Sequence, residues 1–233
     1  MTAKEQVLRM TKVRERSILR NVYLWMTGGL TLTALVSMTM VSSPGLMQTL
    51  VGSPGMFMVL IFAQLGLVFF ISSRLDKMQA SSAVLSFLIY AVLNGMTLSV
   101  IFLAYTGVTI STAFFTTAGA FAGMSIYGMT TKRDLSSIGS FLMMGLIGII
   151  IATVVNMFIG SETIYYLISY IGLFIFLGLT AWDTQVIKRW NQSYGSSMDE
   201  DTYVKLSIMG ALKLYLDFIN MFLFMLRIVG SRN

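Results

Sequence analysis

The sequence predicts an all-α integral membrane protein with seven transmembrane helices. Hydrophobic residues make up 56% of the 233-residue chain and charged residues only 11%, against roughly 25% charged in an average soluble domain. Two runs without a charged residue extend over residues 21–73 and 78–131. Because a membrane-spanning helix needs about 20 residues, each run must hold two helices and a turn.

Three shorter apolar stretches complete the seven predicted spans. Pro44 and Pro54 lie in Ser-Pro-Gly turns that bracket the first hairpin, and Gly107 and Gly160 mark two further turns. The predicted spans, with ends uncertain by several residues, are about 21–41, 56–73, 80–103, 110–130, 136–159, 163–188 and 206–227. We predict a basic amino-terminal segment over residues 1–20 and a single transmembrane domain over residues 21–230.

Lysine and arginine predict the orientation of the chain. Cytoplasmic loops of membrane proteins carry an excess of these residues. The first 20 residues and the even-numbered loops are basic, whereas the odd-numbered loops contain only Glu162. The amino terminus is therefore expected in the cytoplasm and the carboxyl terminus outside, although Arg227 and Arg232 oppose the last step. The basic residues on the predicted cytoplasmic side include Lys4, Arg9, Lys12, Arg14, Arg16, Arg20, Arg74, Lys77, Lys132, Arg133, Lys188, Arg189 and Lys205.

Composition also narrows the function classes. The chain has no cysteine and no histidine, so a disulfide framework and the usual zinc and haem ligand sets cannot be assembled. We expect no cofactor and no enzymatic activity. The net charge of +6 is explained by a basic cytoplasmic rim facing anionic membrane lipid, and no basic surface interleaved with aromatic residues indicates nucleic acid as a partner.

Two aspartates lie inside predicted spans, Asp183 in the sixth and Asp217 in the seventh. A carboxylate at membrane depth costs several kcal/mol unless it is paired, hydrated or protonated, so such residues usually mark an ion path or a proton switch. Lys213 lies one helical turn before Asp217 on the same face, together with Asn220. It could pair with Asp217 or extend to the cytoplasmic headgroups. Arg74, at the cytoplasmic end of the second span, is the best candidate for a further cationic partner.

The two aspartates predict a pH-sensitive site if they are neighbours. Two carboxylates in a poorly hydrated site cannot both be ionised easily, so Asp183 and Asp217 would share a proton. Without histidine, this pair is the only obvious way for the chain to sense pH near 7. The deprotonated pair would attract calcium as a weak, transient ligand set. The alternative is that each aspartate merely pairs with Lys213 or Arg74 and holds the helices in place.

Other polar residues are predicted to support the fold. Asn94 and Asn156 are expected to donate interhelical hydrogen bonds, and Asp134 to be the N-cap of the fifth span. The acidic residues 199–201 lack the spacing of a calcium-binding loop and are expected in a solvated loop.

Small residues predict close helix packing in lipid. Gly119 and Gly123 make one small-residue face, and Gly145 and Gly148 lie on another helix. We expect these faces to contact neighbouring helices.

Several phrases resemble the Bax inhibitor-1 family of seven-helix membrane proteins, in its bacterial branch. They are NGMTLSVIF (94–102), GMTTKRDLSSIGSFL (128–142), NMF (156–158), AWDTQ (181–185) and LYLDFINMF (214–222). The resemblance covers the chain from about residue 20 to its end. It implies six helices around a central seventh, a bacterial cytoplasmic membrane location and a pH-sensitive passive calcium leak.

The resemblance also implies roles for three residues. Asp183 and Asp217 would share a proton, and Arg74 would act as a latch. Lys213 departs from the family pattern, because it adds a positive charge one turn from Asp217 that would modulate the switch.

Two alternatives remain from the sequence. The first is a membrane scaffold that regulates a membrane protease or a stress response, with that protease as its partner. The second is an intramembrane aspartyl protease, which also places one aspartate on each of two helices. The phrase LYLD differs from the Gly-x-Gly-Asp pattern of such proteases, and no proline follows Pro54.

Overall fold

A computed structural model describes the backbone of residues 3–194 and 198–230, and the side chains of residues 18–53, 55–190 and 198–230. Over these residues the chain is helical and contains no β-strand. The helices are α1 (Ala3–Val41), α2 (Pro44–Val51), α3 (Pro54–Arg74), the 3-10 helix η1 (Leu75–Lys77), α4 (Ala80–Leu98), α5 (Ile101–Ala104), α6 (Gly107–Thr130), α7 (Ser136–Ile159), α8 (Glu162–Tyr194) and α9 (Glu200–Val229).

Five segments among the described residues are long and apolar enough to cross a membrane. They are Ile18–Val41, Gly55–Lys77, Ala80–Ala104, Ser136–Ile159 and Glu162–Trp190. Helices α6 and α9 do not belong to this set. The sequence of α6 is rich in glycine, serine and threonine, and that of α9 includes charged residues. The all-α class and several candidate spans are therefore confirmed, and the count of seven spans stays a prediction.

Large apolar side chains cover much of the described surface. Phe69, Phe115 and Phe158 are 75%, 72% and 86% exposed. Large exposed apolar surface is uncommon in soluble monomers, and so many exposed large apolar side chains are typical of a surface that contacts lipid.

The first two turns differ from their prediction. Pro44 and Pro54 were expected in turns, but each is the first residue of a helix, α2 or α3. Proline favours this position because its ring fixes φ near the helical value and its missing N–H would have no partner there. Helix α1 begins at Ala3, so most of the predicted amino-terminal segment continues into the first span as one helix.

The chain divides into two compact units, and each is described by itself. The first comprises the described parts of residues 1–104 and 190–212, and the second those of residues 105–189 and 213–233. The boundary falls within the continuous helices α8 and α9. The prediction of a single domain over residues 21–230 stays a prediction.

In the first unit, α1 and α3 both pack against α4. The Thr33 hydroxyl donates to the carbonyl oxygen of Ala91 at 2.9 Å, and the Ser37 hydroxyl to that of Gly95 at 2.7 Å. A Cβ atom at Gly95 would lie 2.6 Å from the Thr33 carbonyl oxygen. Only glycine at position 95 therefore allows α1 and α4 to approach this closely.

The acidic residues before and at the start of α9 cap helices in the first unit. Asp199, the residue before α9, accepts a 2.9 Å hydrogen bond from the Thr202 N–H of that helix. Asp201 accepts one of 2.9 Å from the N–H of Ala80, the first residue of α4, and also pairs with Lys205 at 2.9 Å. The prediction of a merely solvated acidic loop was therefore incomplete, because two of these carboxylates satisfy helix N–H groups that lack intrahelical partners.

In the second unit, α7 and α8 are antiparallel and approach each other at glycines. A Cβ at Gly139 would overlap the Trp182 ring, and one at Gly145 would lie 2.9 Å from Ile175. Helix α6 meets α8 at Gly128, where a Cβ would overlap the Ala181 carbonyl oxygen.

The predicted face of Gly119 and Gly123 is not a packing face within the described chain. A Cβ at either position, or at Gly148, would meet nothing within 4 Å. The four-residue spacing of Gly119 and Gly123 did not identify the packing position of α6. The close approach lies at Gly128, next to a backbone carbonyl group of α8.

Side chains of α8 hold the loop between α6 and α7. Gln185 accepts from the Leu135 N–H at 2.9 Å and donates to the Arg133 carbonyl oxygen at 2.8 Å. Arg189 pairs with Asp134 at 2.9 Å. Asp134 accepts a 2.9 Å bond from the Ser136 N–H, but Leu135 occupies the N-cap position of α7. Asp134 therefore caps α7 from the position before the N-cap, whereas it was predicted to be the N-cap itself.

Acid should weaken these caps. Hydrogen bonds from Ser136, followed by that from Arg189, lower the pKa of the Asp134 carboxyl to about 2. Hydrogen bonds from Lys205 and the Ala80 N–H lower the pKa of Asp201. A carboxyl whose pKa is lower in the folded state stabilises the fold above its unfolded pKa of about 3.9 and loses that contribution as the pH falls towards its folded pKa.

We therefore expect the unfolding temperature in detergent to fall between about pH 4 and pH 2. The variant Asp134→Asn should show a smaller fall, since it lacks one of the titrating groups. An identical acid dependence in the variant and the wild type would contradict this assignment.

Candidate functional site

Asp183 on α8 and Asp217 on α9 both belong to the second unit. Their residues are 6% and 4% exposed. Contacts along the two helices show that they run antiparallel. The Arg227 guanidinium lies 5.1 Å from the centre of the Tyr165 ring, and the Thr180 hydroxyl lies 3.4 Å from the sulfur of Met221.

Lys213 reaches across from α9 to Asp183. Its Nζ lies 2.8 Å from Oδ1 of Asp183 and 5.5 Å from the centre of the Trp182 ring. This geometry is neither an ion pair with Asp217 nor extension to the headgroups, but it agrees, for Asp183, with the alternative that an aspartate pairs with Lys213. The reason is that the four-carbon stem of lysine can bridge two packed helices, so its nearest acidic residue in sequence need not be its partner.

Asp217 makes no ion pair among the residues that the structure describes, but it interacts electrostatically with both Asp183 and Lys213. Its Oδ2 atom is buried and has no hydrogen-bond partner among those residues. The adjacent Phe218 packs edge-on against Phe114 and Phe121, with ring centres 5.6 and 5.5 Å away. The carboxyl group of Asp217 is thus buried close to an aromatic cluster.

The predicted supporting asparagines use their amides locally. Asn94, expected to bridge helices, donates to the Tyr90 hydroxyl of its own helix at 3.0 Å. Asn220 donates to the Leu216 carbonyl oxygen at 2.8 Å. Asn156 bonds Ser161 in both directions, at 3.1 and 3.2 Å. Asn156 therefore holds the turn between α7 and α8, where Gly160 adopts a left-handed φ of 69°.

Arg74 is the last residue of α3, belongs to the first unit and is exposed. The latch role that the family resemblance implies for it stays a prediction.

Three residues near the site were missed from sequence. Trp182 faces the Lys213 ammonium, Gln185 holds the loop before α7, and Lys188 donates to the Met129 carbonyl oxygen at 2.7 Å. All lie within five residues of Asp183. The large and polar side chains close to Asp183 in sequence were the signal from which these three residues could have been predicted.

The acidic residues of the site provide few metal ligands. Among the described residues, no group of three or more acidic side chains is placed to hold a metal ion. Two carboxylates, one of them paired with lysine, could contact a passing calcium ion but fall short of the six to eight oxygen ligands that calcium takes.

The sequence of this chain is similar to those of known membrane proteins. The family described as "Inhibitor of apoptosis-promoting Bax1" matches residues 15–233. The inner membrane protein YbhL of Escherichia coli strain K12 is 45% identical over 217 residues, which cover 93% of this chain and 92% of the relative. The uncharacterized protein RP147 of Rickettsia prowazekii is 41% identical over 217 residues, covering 93% and 90%. A protein of Borreliella burgdorferi is 48% identical over 177 residues, 75% of each chain. With a family match over most of its length and relatives of this similarity, the chain belongs to the Bax inhibitor-1 family of membrane proteins.

Proposed function

We propose that this protein is a passive, pH-sensitive leak channel for calcium, controlled by a proton that Asp183 and Asp217 share. The observation that carries this proposal is the cluster of two buried carboxyls and one ammonium on α8 and α9. Calcium is the permeant ion and protons are the regulator.

The charge balance of the cluster supports proton sharing. Lys213 neutralises one of the two carboxylates, and no second cation pairs with either of them among the described side chains. A single proton on the pair makes the three side chains neutral together, whereas its loss leaves one buried negative charge. A buried unpaired charge is costly. The protonated cluster is therefore stable in apolar surroundings, whereas the deprotonated cluster is stabilised by water or a cation.

The deprotonated cluster is the form that would attract a cation. Calcium prefers carboxylate and other oxygen ligands, and a buried net negative charge lowers the electrostatic barrier to its passage. Because the site has few ligands, calcium would be released again instead of being stored.

The same proposal includes the arrangement in the membrane. Six spans surround α9, with the amino terminus in the cytoplasm and the carboxyl terminus outside the bacterial cytoplasmic membrane. None of the residues 202–228 of α9 is exposed, and they are buried or half-buried, as expected for a helix at the centre of a bundle. The Escherichia coli relative is named as an inner membrane protein, which supports this location.

The cationic side chains have separate roles in this proposal. Lys213 is the resident partner of Asp183, whereas Arg74 is the latch that the family resemblance implies. In this chain Lys213 takes up one carboxylate, so Arg74 is expected to contribute less to pH control than Lys213.

The test is calcium entry into liposomes that contain the purified protein and a calcium-sensitive dye, measured from pH 6 to pH 8. Asp217→Asn keeps the shape of a protonated Asp217, so we expect its pH response to be flat. Asp183→Asn leaves Lys213 free to pair with Asp217, so its response should shift. Asp199→Asn is the matched control, because it makes the same chemical change outside the site.

Unchanged pH curves in both site variants would contradict the proposal and favour a membrane scaffold that acts on a protease or a stress response. Cleavage of a membrane peptide that is lost in both variants would favour an intramembrane protease.

A further inference from the structure

Hydroxyl side chains of the second unit follow a common pattern. Serine and threonine in membrane helices often donate to the carbonyl oxygen four residues earlier. Many side chains of this unit do so, at distances of 2.7 to 3.1 Å, namely Ser111, Thr116, Thr130, Ser140, Thr153, Ser169 and Thr180.

Among the described residues of this unit, three buried hydroxyls make neither this bond nor another. Thr117 and Ser125 on α6 and Thr184 on α8 are 0%, 3% and 0% exposed. Their oxygen atoms have no hydrogen-bond partner among the described residues, and neither has Oδ2 of Asp217. Buried polar groups are nearly always hydrogen-bonded, to protein or to ordered water. Four unpartnered oxygen atoms in one unit therefore call for a common partner.

The three hydroxyls lie on helix segments next to those that contain the two aspartates. Thr117 and Ser125 are one turn to either side of Phe121 on the buried face of α6, and the Phe121 ring packs against Phe218, the neighbour of Asp217. Thr184 follows Asp183 in sequence.

Thr184 and Ser125 lie at the same helix crossing. The Cβ of Thr184 would lie 3.0 Å from a Cβ at Gly128, one turn beyond Ser125. The hydroxyls thus occupy the region where α6 meets α8 and α9.

We propose that Thr117, Ser125 and Thr184 bind a short file of water molecules that connects Asp217 and Asp183 with bulk water. Each hydroxyl can accept one hydrogen bond while donating another. A proton can therefore pass along the file as each oxygen accepts one proton and releases one, with no net change in any group except the carboxyl pair. The role of the file as the proton route to the gate rests on the proposed function, whereas the binding of water does not.

Among the described side chains, the charged groups near this region are Asp183 and Lys188 on α8, and Lys213 and Asp217 on α9. Lys188 donates to the Met129 carbonyl oxygen at the end of α6. Helices α6 and α7 contain no charged residue. The hydroxyls of Thr117 and Ser125 are therefore polar groups that α6 can offer to water on its buried face.

The test replaces each hydroxyl with a side chain of similar shape, as Thr117→Val, Ser125→Ala and Thr184→Val. A hydroxyl that holds bound water stabilises the fold, since buried waters are costly to remove. We expect each variant to unfold in detergent at a temperature lower by about 2–4 °C. Calcium entry into dye-loaded liposomes should respond to a pH jump several-fold more slowly than in the wild type. The matched control is Thr116→Val, which removes an exposed hydroxyl of α6 bonded to its own helix and should change neither result.

The sign of the stability change decides whether water is bound. Removing a buried hydroxyl that has no partner at all relieves the penalty of an unmade bond, so an unchanged or higher unfolding temperature in all three variants would overturn the proposal. A variant that loses stability but keeps the wild-type pH-jump kinetics would overturn the proton route. If the wild type carries no calcium, the proposed channel function fails, and the unfolding temperatures still decide whether the hydroxyls bind water.

Discussion

Replacing Lys213 with methionine should destabilise the protein strongly above pH 7. Methionine keeps much of the side-chain volume but removes the ammonium that lies 2.8 Å from Asp183. Two buried carboxyls then have no cationic partner on α8 or α9. Breaking a buried pair by removing one member costs about 3–5 kcal/mol when the other stays charged, and we expect about 3 kcal/mol because Lys213 is one-third exposed, with a side-chain value of 33%. The measurement is unfolding in detergent at pH 8.

Lowering the pH should reverse much of this loss, since protonation removes the uncompensated charge. The double variant Lys213→Met/Asp183→Asn should also recover stability, because it leaves a neutral amide in place of the carboxylate. In liposomes, Lys213→Met should move the midpoint of the calcium response to higher pH, since without the ammonium the first proton is held more tightly. A variant as stable as the wild type at pH 8 would show that the ion pair does not control the charge of the site.

Replacing Gly128 with alanine should separate α6 from α8. A Cβ at this position would overlap the backbone carbonyl oxygen of Ala181, which cannot move without its helix. Overpacking of this kind costs about 1–3 kcal/mol. Because Ala181 is two residues before Asp183, the shift should also alter the pH dependence of calcium entry. Thermal unfolding and the liposome assay measure the two effects.

Gly123→Ala is the matched control on the same helix. A Cβ there would meet nothing within 4 Å, and alanine favours a helix more than glycine does. We expect Gly123→Ala to be at least as stable as the wild type. Equal behaviour of the two variants would show that the close approach at Gly128 does not determine helix packing.

Much of the fold could be predicted from the apolar runs and from the glycine and charged residues that interrupt them. The predicted spans at 80–103, 136–159 and 163–188 lie close to the observed helices α4 with α5, α7 and α8. These ends were predictable because glycine or charged residues interrupt long apolar runs. Helix α2 was not, because a proline can either make a turn or begin a helix, and the sequence of the eight residues from Pro44 to Val51 does not decide between them.

The two aspartates of the site could be predicted from sequence, but the residue that pairs with Lys213 could not. A carboxyl group in an apolar span costs free energy wherever it lies, so Asp183 and Asp217 could be selected from sequence. The partner of Lys213 depends on how α8 and α9 are rotated towards each other, which sequence spacing within one helix does not specify. The hydroxyls of Thr117, Ser125 and Thr184, which have no hydrogen-bond partner in the described part of the chain, were overlooked because threonine and serine usually bond within their own helix.

Two cationic side chains of α9 contact residues of the antiparallel helix α8. Lys213 contacts Asp183, and Arg227 lies over the Tyr165 ring. The two cations, at positions 213 and 227, are separated by about 21 Å along α9 at 1.5 Å per residue. Sliding α9 along its axis would stretch both contacts at once, whereas a small rotation or tilt about one contact would leave that contact in place. We therefore expect movement of α9 along its axis to be resisted at both ends of the helix pair.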